Sequence, residues 1–502
     1  MRVTSYLKHT GWVCCGLLVF LSPDRVLAQA TTGDAQPSPV QAGSDPAVPA
    51  DPAASTDDDT AAAASAAQGG IDEIGAPDSA SVDIGTSDAD AAPPGASEPG
   101  ELDLGDATAA SGDIGDGTGD TAQEESPLRF TMAYESGYKT QHPSRLVKNR
   151  ASVRVEYAKT FSGRFSVLFD AKTNAFMGRD HRREVERTDT LVTQAYLQTS
   201  IGQTSLRAGI QTLAWGESML APITDEISPR DNRELFNFNL EELRIGQPML
   251  QIDHFSHGIH LGGFLIPTPE FNKSPAEGSF YDFDPLTYRH RIEGDNGMEY
   301  GVSWKKSYDA ADFTLMAASL VDNDYARRMN VDGQVSRVRE RFSMAGLSFT
   351  RAMGNFVLRG EAAVKYGKPF NDAALQIRHR RTIETYLGLD YQSSPTLSFS
   401  GELLNQHVSD WDDDLVGVAR NRQTVMLSAE KKFLNDDLSI SLQNFRYWPH
   451  VSNLSMLLTT WTVNDNVTLS LNLAVPSTNH QNGSLRAVRD QKQVLFKIQY
   501  QF

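Results

Sequence analysis

The sequence contains little cysteine. Its two cysteines, Cys14 and Cys15, both lie near the N-terminus, inside a segment that has the pattern of a cleaved signal. A mature chain without cysteine excludes disulfides, cysteine-ligated zinc, covalent haem attachment and thiol catalysis. We therefore expect no cofactor and no metal site.

The first 30 residues have the pattern of a secretory signal peptide. Arg2 and Lys8 supply the positive start, residues 12–21 form an apolar run, and residues 28–30 are a small-x-small cleavage site. The apolar run is shorter than the ~20 residues that a transmembrane helix needs. We predict that residues 1–30 are removed on secretion.

Residues 31–126 contain no lysine, arginine or aromatic residue, and they carry 21 aspartates and glutamates. A segment with so little apolar surface cannot offset its chain entropy, so we predict a disordered acidic leader. The acidic leader contributes −21 and the signal contributes +2, so the total charge of −18 leaves +1 for residues 127–502. This nearly neutral balance predicts no nucleic-acid partner.

Glycine recurs every ten residues in the acidic leader, at Gly75, Gly85, Gly95, Gly105 and Gly115. An acidic–aliphatic pair precedes four of these glycines, and Pro-Pro precedes Gly95. The repeat fits low-complexity expansion. It also fits a row of short motifs for a periplasmic partner, whose weak sites multivalency would strengthen.

From residue 127 the pattern changes to an alternation of period two. In the last stretch, Val494, Phe496, Ile498, Tyr500 and Phe502 share one parity, and mainly Gln and Lys occupy the other. Alternate residues of a strand lie on opposite faces, so one face suits lipid and the other suits water. A last strand ending in Phe resembles the C-terminal signal read by the bacterial outer-membrane assembly machinery. The alternative is the edge strand of a soluble sandwich.

The alternation predicts 18 strands of about ten residues, the length that a tilted strand needs to cross a bilayer. They are 127–136, 150–160, 163–172, 190–201, 203–212, 249–257, 258–266, 296–306, 311–321, 341–352, 354–366, 381–392, 395–407, 421–432, 436–447, 451–462, 466–475 and 492–502. Short turns alternate with long polar connections at 137–149, 173–189, 213–248, 267–295, 322–340, 367–380, 408–420 and 476–490. We predict an all-β fold, a transmembrane antiparallel β-barrel of about 18 strands (16 is the alternative count) with both ends in the periplasm.

Charged residues occupy the polar parity of these strands, and a soluble barrel core could not hold so many. They are Arg154, Glu156, Arg207, Glu299, Lys305, Arg359, Glu361, Lys365, Glu384, Asp390, Glu402 and Glu430. Both signs occur, so strong ion selectivity is not implied. A barrel of this width has room for an aqueous lumen.

The connection 213–248 is the most distinctive. Ser228 and Pro229 have the pattern of a helix N-cap and first turn, and apolar residues from Leu235 to Leu243 would form one helical face. Such a loop either folds into the lumen and narrows it or stays on the outer surface. Its charges either set a transverse field or pair within the loop. The candidate constriction residues are Trp215, Glu217, Asp225, Arg230, Asp231, Arg233, Arg244, Arg207, Arg359 and Glu361.

The same region resembles a known family. The motifs are Arg207-Ala208-Gly209-Ile210-Gln211, Trp215-Gly216-Glu217-Ser218, Ser228-Pro229-Arg230-Asp231, Glu241-Glu242-Leu243-Arg244, Ile266-Pro267 and the terminal Phe502. They are similar to the proteobacterial outer-membrane, porin-like family catalogued as domain of unknown function 1302. The resemblance covers residues 127–502 and excludes the acidic leader. It implies envelope transport, without a defined substrate or catalytic residues.

The sequence predicts an outer-membrane channel or export conduit for polar or amphiphilic solutes. A second hypothesis, compatible with the first, is an envelope anchor whose acidic leader binds a periplasmic partner. A barrel hydrolase is a third. His254, His257 and His260 cluster in sequence, but no suitably spaced serine motif accompanies them, so we do not expect an enzyme. The expected partners are outer-membrane lipid and the assembly machinery.

Overall fold

The computed structural model describes residues 126–161, 165–176, 188–218, 223–234, 236, 243–275, 281–284, 286 and 288–502. The predicted signal peptide and, apart from Ser126, the acidic leader with its repeats lie outside the described residues.

The described residues form β-strands and one short 3-10 helix, Arg486–Val488. The strands are β1 Leu128–Lys139, β2 Arg145–Phe161, β3 Phe165–Phe176, β4 Thr188–Ile201, β5 Thr204–Gln211, β6 Gln247–Ser256, β7 Ile259–Ile266, β8 Tyr288–Gly294, β9 Glu299–Tyr308, β10 Ala311–Val321, β11 Ala326–Met329, β12 Val335–Arg339, β13 Arg341–Met353, β14 Phe356–Asn371, β15 Ile377–Ser394, β16 Leu397–Val408, β17 Asn421–Phe433, β18 Leu438–Trp448, β19 Ser452–Asn464, β20 Val467–Thr478 and β21 Gln493–Gln501. Across the described ranges, no helix is long and apolar enough to cross a bilayer.

Eighteen strands, all except β8, β11 and β12, form one closed antiparallel barrel. Each barrel strand pairs with the next, and β21 closes the ring by pairing with β1, where Thr131 lies opposite Gln501. Beyond that pair, the rings of Phe130 and Phe502 stack at 5.5 Å. Closure leaves no sheet edge. The predicted count of 18 is confirmed, and the alternative of 16 is wrong.

Short and long connections alternate around the ring, except that the β18–β19 connection, residues 449–451, is short where a long one is due. Two other connections are shorter than predicted. The predicted stretches 137–149 and 367–380 reduce to residues 140–144 and 372–376. Their outer parts continue the strands, with Lys139 paired to Arg145 and Asn371 paired to Ile377. Strand pairing satisfies their backbone N–H and C=O groups, and this outweighs the polar composition from which loops were predicted.

β14 shows how the two faces of the wall differ. Glu361 and Lys365 face the interior and are 4% and 1% exposed. Phe356 and Tyr366 have the opposite parity and are 40% and 54% exposed. The outside of the barrel therefore presents large apolar side chains, which is the arrangement that lipid contact requires.

The interior is partly apolar, which the prediction of a charged lumen did not include. Inward-facing Met316, Phe342, Phe445 and Met456 belong to one buried cluster that also contains Trp215 of the β5–β6 connection. Side chains of the long connections thus pack against part of the inner wall.

Three strands that the sequence did not predict lie in two long connections. β12 pairs antiparallel with β11 and parallel with β8. The guanidinium of Arg337 lies 4.4 Å from the ring centre of Tyr288, and that of Arg339 lies 4.9 Å from Phe271. These contacts join the connections that follow β7 and β10.

Candidate functional site

The connection between β5 and β6, residues 212–246, has its two arms joined by backbone pairing. Asp231 N donates to Leu243 O, and Ile245 N donates to Pro229 O, both at 2.7 Å. Ser228 does not cap a helix, since its hydroxyl accepts from Leu213 N at 2.8 Å and donates to Leu213 O. The predicted helix start at Ser228 and Pro229 is therefore wrong. Most of the predicted helical face, residues 235 and 237–242, lies outside the described residues.

Glu361 on β14 holds the first part of this connection. Its carboxylate accepts hydrogen bonds from the backbone N–H groups of Glu217 and Ser218 and, at 2.9 Å, from Thr224 Oγ1. Charge-assisted bonds of this kind are about twice as strong as neutral ones. Gly216 precedes the site with a φ of +99°, and a Cβ atom there would lie 2.7 Å from Glu361 Oε2. Glycine therefore permits both the backbone conformation and the close approach.

Glu226 makes a second attachment to β14. Its carboxylate lies 2.6 Å from Lys365 Nζ and 3.3 Å from Lys368 Nζ. Lys365 also contacts Glu384 at 2.8 Å, and Lys368 contacts Asp322 at 3.1 Å. Burial raises the pKa of Glu226, but the two lysines outweigh it and lower the pKa to about 2. At Asp322, burial outweighs Lys368 and raises the pKa to about 6.

Asp225 is the centre of an ion cluster within the connection. Its Oδ2 accepts from Arg230 Nη2 at 2.6 Å and from Arg244 Nη2 at 3.0 Å. Its Oδ1 accepts from the backbone N–H of Trp215 at 3.2 Å. The Trp215 ring packs edge-on against Phe264 of β7, with centres 5.3 Å apart. Four candidate residues thus form one unit, in which Trp215, Asp225 and Arg230 are buried.

The far part of the connection contacts β4 and β2. Arg233 lies 2.5 Å from both Asp189 of β4 and Asp231. Burial raises the pKa of Asp231, but hydrogen bonding by Arg233 outweighs it and lowers the pKa. Glu234 lies 3.2 Å from Arg150 of β2. These ion pairs attach the connection to a second region of the wall.

The two regions of wall lie on opposite sides of the barrel. β2 is the second strand of the ring of 18 and β14 is the eleventh. Arg150 and Glu361 have the inward parity of these strands and are 8% and 4% exposed. A connection that contacts both must extend between opposite inner walls.

Arg359 and Arg207 have different positions relative to this connection. Arg359 lies 2.9 Å from Asp390 and 3.3 Å from Glu402, and its Nη1 donates to Glu217 O at 3.2 Å. The backbone N–H of Glu217 therefore binds Glu361, and its backbone carbonyl binds Arg359. Arg207 of β5 faces the ring of Tyr196, 6.0 Å from its centre. The structure does not bring Arg207 to the groups of candidate residues described above.

Sequence reasoning did not select the Glu226, Lys368 and Asp322 group. Lys365 and Glu384 were predicted to face the lumen on parity alone, but their partner in the connection was not predicted. The sequence feature that could have indicated this group is Lys368, which lies three residues beyond Lys365 in a stretch predicted to be loop. Parity could not identify it, because the register of β14 with β15 shifts between Lys365 and Lys368.

The three clustered histidines have separate partners. Thr204 Oγ1 lies 3.0 Å from His254 Nδ1, and Asp253 Oδ1 lies 2.7 Å from His260 Nε2. His257 is at the β6–β7 turn, with a φ of +49°. In the part of the chain that the structure covers, no group of three or more His, Cys, Asp or Glu residues is arranged to hold a metal ion.

The closed ring, the apolar outer face and the inner wall with buried charges define a porin-like outer-membrane β-barrel. The chain belongs to the family described as "Protein of unknown function (DUF1302)", whose model matches residues 116–502.

Solved outer-membrane proteins are similar to this chain at low sequence identity. Acinetobacter baumannii OccAB1 is 8% identical, with a TM-score of 0.50, covering 75% of this chain and 95% of that one. Pseudomonas aeruginosa OccK8 (OprE) is 8% identical, with a TM-score of 0.49, covering 76% and 98%. Pseudomonas aeruginosa OpdK, solved with vanillate, is 9% identical, with a TM-score of 0.48, covering 75% and 98%. No curated protein matches the sequence.

Proposed function

We propose that this protein is an outer-membrane channel or conduit for polar or amphiphilic solutes and that residues 212–246 narrow its lumen. The observation that carries the proposal is the attachment of one connection to opposite inner walls. It contacts Glu361 and Lys365 on β14 and Arg150 on β2. A segment held at both sides divides the cross-section that a solute must pass.

The side chains of the barrel interior support polar or amphiphilic molecules as the class of solute. The ion clusters around Asp225 and Glu226 place paired charges of both signs in the interior, and the inner wall also contains the buried apolar side chains of Met316 and Phe445. Charged groups with apolar surface between them suit solutes that carry both polar and apolar parts.

Single-channel recording in a planar bilayer tests the proposal. We expect discrete ohmic openings from the full mature chain and from a chain lacking residues 31–126. Openings seen only without the acidic leader would assign the leader a blocking role. No openings from either protein, when both show the heat-dependent gel shift of a folded barrel, would contradict the channel.

A second assay tests whether residues 212–246 narrow the lumen, separately from whether the protein forms a channel. Liposome swelling with sugars of increasing size should show a lower size limit for the wild type than for a variant with Glu361→Ala and Lys365→Met. An unchanged limit would show that residues 212–246 do not set the width, even if conductance is present.

A further inference from the structure

The outer face of β16 to β19 is polar at the end that carries the long connections. On β16, β17 and β19, the two outward-facing positions nearest this end hold amide, hydroxyl or histidine side chains, and on β18 Asn444 and Arg446 precede the terminal outward-facing Trp448. These residues, together called the polar outer patch, are Asn405, His407, Asn421, Gln423, Asn444, Arg446, Asn453 and Ser455. By contrast, the corresponding ends of β5, β6 and β7 present Ile210, Leu250 and Leu265 outward.

The polar outer patch has two halves, one on β16 and β17 and one on β18 and β19, because Gln423 lies opposite Trp448 and Arg446 lies opposite Val425. Asn405 pairs with Gln423, Asn444 pairs with Ser455, and Arg446 lies opposite Asn453. Asn444 Nδ2 donates to Ser455 Oγ at 2.9 Å. An arginine on the lipid-facing side is far more costly at the bilayer midplane than near the interface. The patch therefore belongs at the height of the lipid headgroups.

A cavity adjoins the patch at the ends of β18 to β20. Its volume is about 380 Å³, and it is lined by Pro449, Val451, Asn453, Ser477, Thr478, Asn479 and His480. Asn453 belongs to both the cavity and the polar outer patch. Beside it, the guanidinium of Arg446 lies 5.2 Å from the ring centre of Trp448. A stacked guanidinium is held in place while its N–H groups remain available for an anion.

The charge and the hydrogen-bonding groups of the polar outer patch indicate which class of ligand it binds. None of the outward-facing residues of β16 to β20 is aspartate or glutamate. Carboxylates occur beyond the strand ends, where Asp412 pairs with Arg380 at 2.7 Å. Amides and hydroxyls suit the many hydroxyl groups of a sugar, and arginine suits phosphate.

We propose that the polar outer patch and its cavity bind the phosphorylated sugar headgroup of an outer-leaflet glycolipid. The proposal rests on the outer-membrane barrel, oriented with its long connections outward, and it is independent of whether solutes pass through the lumen. Arg446 would bind phosphate, and Asn444, Asn453 and the cavity would bind the sugar. The hydrocarbon chains would lie on Leu427, which pairs with Asn444, and on Leu442, the next outward-facing residue of β18; these side chains are 61% and 58% exposed.

Native mass spectrometry of the full mature protein tests this site. The probes are purified diphosphorylated lipid A, its dephosphorylated form and phosphatidylglycerol. We expect the wild type to retain lipid A, and the variant Asn444→Leu with Arg446→Leu to bind it about tenfold more weakly, because it loses a guanidinium and an amide that would bind the headgroup. Leucine suits the lipid-facing side, so this variant should fold.

Lys431→Leu is the matched control. Lys431 is an outward-facing cation on β17 at the opposite end of the barrel, and its Nζ donates to Thr396 Oγ1 at 2.6 Å. The control should bind lipid A like the wild type, and dephosphorylated lipid A should bind the wild type more weakly. Equal binding of lipid A and phosphatidylglycerol, or no loss in the double variant, would overturn the proposal. A change of oligomeric state with unchanged lipid A binding would instead assign the patch to contact between copies of the chain and would also overturn it.

Discussion

Lys365 Nζ lies 2.6 Å from Glu226 Oε1, and the two side chains are 1% and 11% exposed. Lys365 belongs to the barrel wall, and Glu226 belongs to the connection between β5 and β6. Removing one partner of a buried ion pair leaves an uncompensated charge, so the pair strongly favours one position of the connection. Substitutions around this pair therefore report whether residues 212–246 control the pore.

We expect Lys365→Met to detach the connection, because Glu226 and Glu384 remain buried with one cation fewer. Breaking a buried pair costs about 3–5 kcal/mol. Single-channel conductance should increase, and proteases should cut within residues 212–246 faster, while the barrel keeps its heat-dependent gel shift. Adding Glu226→Gln should restore part of the wild-type behaviour.

The control for this substitution is Lys306→Met. Lys306 is a surface cation whose Nζ donates to His257 O at 3.0 Å in an exposed position. It should leave conductance and proteolysis unchanged. A Lys365→Met protein that behaves like this control would show that the buried pair does not hold the connection.

Gly216→Ala should weaken the attachment to Glu361. The new Cβ would lie 2.7 Å from Glu361 Oε2, and the residue keeps a φ of +99°. Gly354→Ala is the control, because Gly354 has a φ of +60° and a Cβ atom added there would have no other atom within 4 Å. Both variants carry the cost of a left-handed residue, about 1–2 kcal/mol. Thermal unfolding should show a larger loss of stability for Gly216→Ala, and equal losses would refute a role for the close approach.

The attachment of residues 212–246 should depend on pH through Asp322. Burial, with Glu226 and Asp324 nearby, raises its pKa from 3.8 to about 6 against the effect of Lys368. A group whose pKa is raised in the attached state stabilises that state at low pH, and this stabilisation is lost as the pH rises through 6. Conductance should therefore decrease as the pH falls from 7.5 to 5.

Glu226 acts in a different pH range. Its pKa is lowered from 4.5 to about 2, so its stabilisation is present above 4.5 and is lost only as the pH falls from 4.5 toward 2. Between pH 7.5 and 5, Asp322→Asn should remove the pH dependence, and the control Asp412→Asn at the exposed pair with Arg380 should keep it. A wild type with flat conductance across this range would contradict the assignment.

Arg233→Glu should change ion selectivity. The substitution places a third carboxylate beside Asp189 and Asp231, which both lie 2.5 Å from Arg233. Reversal potentials in a salt gradient should shift toward cations, because the local field becomes negative. Arg380→Glu, at a pair where Asp412 is 47% exposed, is the control and should shift them less. Unchanged selectivity in Arg233→Glu would contradict a transverse field at the candidate constriction.

Much of the fold could be predicted, because a strand shows its two faces at every second residue. The predictions were wrong where local composition indicated a loop or a helix and hydrogen bonding to a distant segment gave a different structure. Residues 367–371 were predicted to belong to a polar loop, yet β14 continues to Asn371. Ser228 and Pro229 have the local pattern of a helix start, but Ser228 bonds to Leu213 instead. A partner 15 residues away outweighed the local preference.

The sequence by itself determined the β-barrel class, the number of barrel strands and the face on which most of their residues lie, because alternation is a local property. Only the tertiary structure decided which charges meet. Glu226 and Lys365 are 139 residues apart, and they come together because the ring closes and residues 212–246 extend between its walls. Inside a closed barrel, every inward-facing charge is a candidate partner for every other. Selection among them depends on strand register and on the path of the connections, which no short stretch of sequence encodes.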